Sequence, residues 1–166
     1  ALNPYIDFFY FDVLSSIKEF KCGIKAIKEF KKPYLIGIHI SEGTNLPSGE
    51  KISKIRDVID DKVLGVMLSC VSPENYEANL KEVKNLGVPF GFKLNGYITT
   101  KPSTSYTENY LKSKTGNPIE VFGKREDLNP DNMAKIVKKF KDSGATILGG
   151  CCETSPSHIE AMAKLK

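Results

Sequence analysis

The sequence predicts an α/β fold on a parallel sheet, of the (β/α)8 TIM-barrel type. Short apolar runs alternate with segments of helical periodicity along most of the 166 residues. The predicted strands begin near residues 5, 34, 63 and 89. That spacing of roughly 26 to 29 residues suits one strand and one helix per unit. No Gly-x-Gly-x-x-Gly run follows any of these strands, so a dinucleotide-binding sheet has no support. A complete barrel needs eight strands and about 250 residues. About five strands are legible, so the chain reads as the back half of a barrel.

The first run, "YIDFFYFDV" at 5–13, is short, aromatic and nearly continuous, as in a strand buried on both faces. Ser16 with Glu19 forms a capping box, and Ile17, Phe20, Ile24, Ile27 and Phe30 recur at helical spacing after it. Cys22 lies within this helix without a ligand role. Pro33 ends the helix, and "YLIGIHI" at 34–40 is a second buried strand. The turn-rich "SEGTNLPSGE" leads to a short helix over 50–60, with Ile52, Ile55, Val58 and Ile59 inward. "KVLGVMLSC" is a third strand ending at Cys70. Ser72 and Pro73 supply an N-cap and first-turn proline for the next helix, and Gly87 stops it. "PFGFKLN" is a fourth strand. Residues 95–128 lack periodicity and form a long rim loop, with a short helix expected near 106–112. Asn129 and Pro130 open a helix with Met133, Ile136, Val137 and Phe140 inward. "GATILGG" at 144–150 is a fifth strand, and Ser155 and Pro156 open the last helix.

Composition narrows the function classes. A chain 40% hydrophobic and 27% charged fits an ordinary globule rather than a disordered segment. Its longest apolar runs, such as "VLGVML", fall far short of a bilayer span, so no membrane partner is expected. The opening "ALNPYIDFF" shows no signal-peptide pattern, and its Ala1 suggests that the natural start is missing or processed. The formal net charge of +4 raises nucleic acid as a partner. Yet Arg56 and Arg125 are the only arginines, and the lysines fall on the solvated faces of helices. No nucleic-acid partner is expected. Four cysteines in a lysine-rich chain of this size suggest free thiols and a reducing compartment, the cytoplasm.

Three of those thiols have notable positions. Cys70 closes one predicted strand, and Cys151 and Cys152 follow another two strands later. In a barrel these ends share the rim that carries the chemistry. Three thiolates suit Zn²⁺ and leave its fourth position open, as catalytic zinc sites do. The alternative is that each cysteine packs a strand end as a small hydrophobe. Gly149 and Gly150 weigh against it, because paired glycines suggest a backbone approached closely. A thiol-exchange role for Cys151 and Cys152 is disfavoured by their adjacency, which suits a reversible disulfide poorly.

The segment "GGCCETSPSHI" resembles the "GGCCGTxPxHI" motif of the zinc-dependent homocysteine S-methyltransferases. "LGVMLSCVSPE" is similar to that family's "GxNCxxP" strand end, "KLNGY" to its "PNxG" strand end, and "FFYFDVLSSIKE" to its fifth strand. The resemblance runs over almost the whole chain and implies roughly strands five to eight of a single homocysteine-binding barrel domain, residues 1–166. It implies zinc as the cofactor on Cys70, Cys151 and Cys152. It also implies an activated methyl donor and homocysteine as substrates, with methionine as product. Asp12 would grip the substrate's ammonium group, and Asn95 would contact either the substrate or the groups that support the metal ligands at the rim. His158, also carried by the family, is expected to cap or orient rather than catalyse. The missing strands would come from the same parent chain, a partner fragment or a second half barrel, which makes a homo-oligomer one option. A non-catalytic zinc-binding or interaction fragment is the alternative function. Several residues depart from the pattern: Asp12 replaces a glutamate, Ser69 an asparagine and Glu153 a glycine, while Lys93 and Leu94 replace the usual residues before Asn95.

Overall fold

In the computed structural model, which describes residues 3–40, 43–99 and 117–165, five strands lie parallel in one sheet. Strand β1 (Phe9–Leu14) leads to helix α1 (Ile17–Ile27) and β2 (Tyr34–His39). A 3₁₀ segment (Ile52–Asp57), β3 (Val63–Val71), α2 (Pro73–Lys84) and β4 (Phe90–Leu94) follow. A one-turn helix α3 (Ile119–Phe122), α4 (Pro130–Asp142), β5 (Ile147–Gly150) and α5 (Pro156–Ala163) complete the order. The strands stand side by side in chain order, β1-β2-β3-β4-β5. A doubly wound sheet reverses its order at a switch point, whereas a barrel wall does not. The topology is therefore that of part of a (β/α) barrel wall, with all carboxyl ends on one rim.

Local chemistry sets most element boundaries. Ser16 Oγ accepts from Glu19 N at 3.2 Å and starts α1. The Glu19 carboxylate reaches back to Ser15 N at 2.6 Å, one residue earlier than a regular capping box. Ser72 and Asn129 cap α2 and α4 by accepting from Asn75 N and Asn132 N, each with proline in the first turn. Gly87 and Gly144 end the helix–strand turns with φ of 76° and 107°, which a side chain would disfavour.

The departures from expectation have physical causes. Asn3–Tyr5 form a 3₁₀ turn, so β1 begins only at Phe9, where its N–H donates to Pro33 O. The strand is half-buried rather than buried on both faces. It lies at the sheet edge, and no described strand pairs with its outer side. The helix expected over 50–60 is a 3₁₀ segment. Its buried residues Ile52 and Ile55 recur every three positions, which matches three residues per turn better than 3.6. The short helix expected at 106–112 lies outside the described residues. Helix α3, which the sequence did not suggest, sits in the same connection, with Phe122 against Tyr97 at 5.1 Å between ring centroids.

The core lies between the sheet and its helices. Ile36, Ile38, Leu68 and Phe92 bury their side chains with Phe20, Ile55, Val137 and Phe140. Tyr76, Phe92 and Phe140 form an aromatic trio with centroids 4.6 to 5.7 Å apart. Strand alternation puts Tyr10, Gly37, Ser69 and Lys93 on the opposite, barrel-interior face. A Cβ on Gly37 would stand 2.6 Å from Ser69 Oγ and 2.8 Å from Tyr10 Oη, so this polar cluster needs glycine there. Among the described residues no helix is long and apolar enough to cross a membrane.

Candidate metal centre

Cys70 stands at the end of β3 in a bulge. The ladder to β4 pairs Ser69 with Lys93 and Val71 with Leu94 and passes over Cys70, whose φ is 55°. A bulged residue escapes strict in–out alternation, and here its sulfur is free to turn along the rim. At the end of β5, Cys151 N donates to Leu94 O at 2.7 Å, and Cys152 O accepts from Gly96 N at 2.9 Å. These bonds fasten the double cysteine to the end of β4. Thr154 folds back over the turn, its hydroxyl donating to Cys151 O at 2.5 Å. A Cβ on Gly150 would lie 2.4 Å from that hydroxyl oxygen, which accounts for the glycine.

The result is a triangle of sulfurs. Cys70 and Cys152 are 3.9 Å apart, Cys151 and Cys152 are 4.0 Å apart, and all three lie within 4.8 Å of one another. Metal–sulfur bonds of about 2.3 Å in a tetrahedron place ligand sulfurs about 3.8 Å apart. The three half-buried, unbridged cysteines therefore fit a thiophilic metal ion with small adjustments and leave one tetrahedral position to another ligand.

The surroundings push two of the thiols in opposite directions. The hydrogen bond to Cys151, then burial, pushes the Cys70 thiol up. The same bond pushes the Cys151 thiol down against its burial, with help from the Cys152 N–H and the Lys93 charge. Asn95, fully buried, donates from Nδ2 to Cys70 Sγ at 3.7 Å and accepts from Tyr97 N at 3.2 Å through Oδ1. It holds a cysteine rather than facing open space. Tyr97 lies beside Cys152, and burial, followed by that sulfur, raises its hydroxyl pKa.

Asp12, at the end of β1, is held by two donors. Tyr10 Oη donates to it at 2.6 Å and Lys93 Nζ at 2.5 Å. Tyr10 Oη also bonds Ser69 Oγ at 2.7 Å, with the serine as donor because the tyrosine proton is already given to Asp12. Burial pushes the Asp12 carboxyl up, but the bonds from Lys93 and Tyr10 outweigh it and hold it below the usual carboxylate value. Sequence reasoning missed this network. Its only signals are that Tyr10 and Asp12 are two apart on one strand face and that Ser69 and Lys93 are departures from the family pattern. His39, whose facing the sequence left open between core and rim, is half-buried. It ends β2 beside Ser69 with a buried Nδ1 that has no partner among the described residues.

His158 has a structural role. Its Nδ1 accepts from Ser155 N at 3.0 Å, and its Nε2 faces Leu128 O at 2.8 Å, so Nε2 carries the proton. It caps α5 and ties it to the rim loop, as its position suggested. Glu153 has φ of 60°. This left-handed conformation suits the glycine of the family motif. Of four non-glycine residues with positive φ among those described, Val13, Cys70 and Glu153 flank the site.

A parallel strand–helix wall whose carboxyl rim gathers three thiols defines a barrel-type protein with a cluster able to hold a metal ion. The sequence profile of the homocysteine S-methyltransferase family matches residues 1–165, and the chain belongs to that family. Homocysteine S-methyltransferase 1 of Saccharomyces cerevisiae is 27% identical over 169 residues, covering 97% of this chain and 48% of the yeast protein. Selenocysteine methyltransferase of Astragalus bisulcatus is 25% identical, covering 75% of this chain and 33% of its own length. The metallated form of the Escherichia coli homocysteine methyltransferase MmuM superposes with a TM-score of 0.72 at 15% identity, covering 99% of this chain and 47% of that one. That likeness speaks to the fold. The chain spans about half or less of the length of these relatives.

Proposed function

We propose that the protein transfers a methyl group from an activated donor to the thiol of homocysteine, giving methionine, with Zn²⁺ on Cys70, Cys151 and Cys152. The observation that carries this reading is the convergence of three sulfurs from β3 and β5 to within 4.8 Å. Bound zinc supplies the Lewis acidity that keeps a substrate thiol deprotonated near neutral pH. The chain's own residues do the rest. Three anionic thiolates, unlike neutral imidazoles, leave the acceptor sulfur electron-rich. Asn95 fixes the Cys70 sulfur, and Asp12 offers its carboxylate to the acceptor's ammonium group. The acceptor sulfur loses its proton to solvent and forms the new bond to the methyl carbon. The donor leaves with the electron pair of the broken bond.

In this reading residues 1–166 are the carboxyl-terminal portion of one homocysteine-binding barrel domain; of the rim loop expected over 95–128, residues 100–116 lie outside the described residues. Counted back from the strand before the double cysteine as the eighth, the five strands are the fourth to the eighth, where the resemblance implied roughly the fifth to the eighth. The missing wall belongs against the free edges of β1 and β5. It is supplied by the parent chain, by a partner fragment or by a second copy, in a cytoplasmic setting that keeps the thiols reduced.

The test is a donor screen on the zinc-loaded whole protein in which these residues occur, with homocysteine as acceptor. Methionine should form with at least one sulfonium, betaine-type or folate donor, and Cys70→Ala should abolish it. No methionine from any of these donors, or full activity without zinc, rejects the reading.

A further inference from the structure

Asp12 and Lys93 stand on β1 and β4, which have two strands between them, yet their charged groups meet at 2.5 Å. Both project over the barrel-interior face, where Gly37 leaves room for the Tyr10 hydroxyl that also bonds Asp12. Tyr10 fixes the carboxylate from one side, and the Lys93 ammonium lies 5.3 Å from the centre of the Tyr10 ring. The Lys93 stem packs over Gly149, two residues before Cys151: a Cβ there would touch Lys93 Cγ at 3.3 Å. The Lys93 and Asp12 side chains remain 21% and 38% exposed, so an ion pair lies within reach of solvent beside the three sulfurs.

An internal pair of opposite charges at a thiol-binding centre has the same charge pattern as an amino acid zwitterion. We propose that the Asp12–Lys93 pair is a placeholder that an α-amino-acid thiol opens, its ammonium taking Asp12 and its carboxylate taking Lys93. Lys93 is then the specificity-determining residue for the acceptor's carboxylate. Its flexible stem allows it to leave Asp12 while its charge stays at the rim. A thiol with both charges restores both pairings lost when the internal bridge opens. A thiol with only one leaves Asp12 or Lys93 unpaired, and a missing charge-assisted hydrogen bond weakens binding about tenfold or more. This proposal rests on the thiol-acceptor reading above and refines what that site selects.

The test is thiol binding to the cobalt-substituted whole protein, followed by the cobalt–thiolate charge-transfer absorption, which needs no methyl transfer. The probes are homocysteine, 4-mercaptobutanoate without the ammonium, and 3-mercaptopropylamine without the carboxylate. Homocysteine should bind about tenfold or more tightly than either analogue. Lys93→Met should weaken homocysteine and strengthen 3-mercaptopropylamine, because Asp12 is then unoccupied. Asp12→Asn should weaken homocysteine and strengthen 4-mercaptobutanoate. This crossed pattern is one that a merely structural ion pair does not produce. Equal binding of all three thiols, or variants that shift all three alike, overturns the proposal while leaving the metal–thiol reading intact. No new cobalt–thiolate absorption with any thiol overturns both.

Discussion

Replacing Asn95 by Ala removes two contacts from one buried side chain, and the two losses can be measured separately. The Tyr97 N–H loses its acceptor at 3.2 Å, and the Cys70 sulfur loses its donor at 3.7 Å. An unpaired buried N–H costs about 1–3 kcal/mol. Denaturant unfolding of the metal-free protein should therefore show a loss of about 2 kcal/mol in the variant. The second loss falls on the metal. Groups that hydrogen-bond a metal ligand typically change metal affinity by about 10- to 100-fold when removed. Zinc affinity, measured by competition with a chelator well below the variant's melting temperature, should fall within that range. An Asn95→Ala protein that is destabilised yet binds zinc within about twofold of wild type contradicts the role of Asn95 toward Cys70.

Glu153→Gly should stabilise the fold by about 1 kcal/mol, because glycine adopts its φ of 60° without strain; an unchanged or lower melting temperature counts against this. Tyr76 Oη is buried with no partner among the described residues, so Tyr76→Phe should be neutral or stabilising by up to about 1 kcal/mol in chemical denaturation. A clear loss would reveal a partner for the hydroxyl. Burial holds His39 below its ordinary pKa of 6.5, so the unfolded chain binds a proton there before the folded one does. Stability should fall as pH drops through 6.5 toward the lower folded value. His39→Gln should flatten that slope, and an unchanged slope would assign it to another group.

The alternation of strand and helix was legible because it rests on local signals: apolar periodicity, and caps such as Ser72–Pro73 and Asn129–Pro130 that need no tertiary contact. The convergence of the three cysteines was legible because a parallel sheet brings every strand's carboxyl end to one rim, so Cys70 and Cys152, 82 apart in sequence, can meet. Other features depend on geometry that no local pattern encodes. The Asp12–Lys93 bridge spans non-adjacent strands, β1 and β4. The turn of Cys70 out of alternation comes from a skip in ladder register. The hydrogen bond from Asn95 to the Cys70 sulfur, one of the two roles open to it from sequence, depends on where that bulge places Cys70. Ser69 and Lys93 stood out only as unusual residues, and their common partners, Tyr10 and Asp12, became visible once the strands were side by side.

The central claim is that three sulfurs from two strand ends hold one zinc ion and leave a place for a fourth sulfur. X-ray absorption at the zinc edge of the loaded protein tests it directly. The account predicts three sulfur neighbours at about 2.3 Å, rising to four when homocysteine is added. A first shell dominated by nitrogen and oxygen, or a sulfur count that stays the same with homocysteine present, would contradict it.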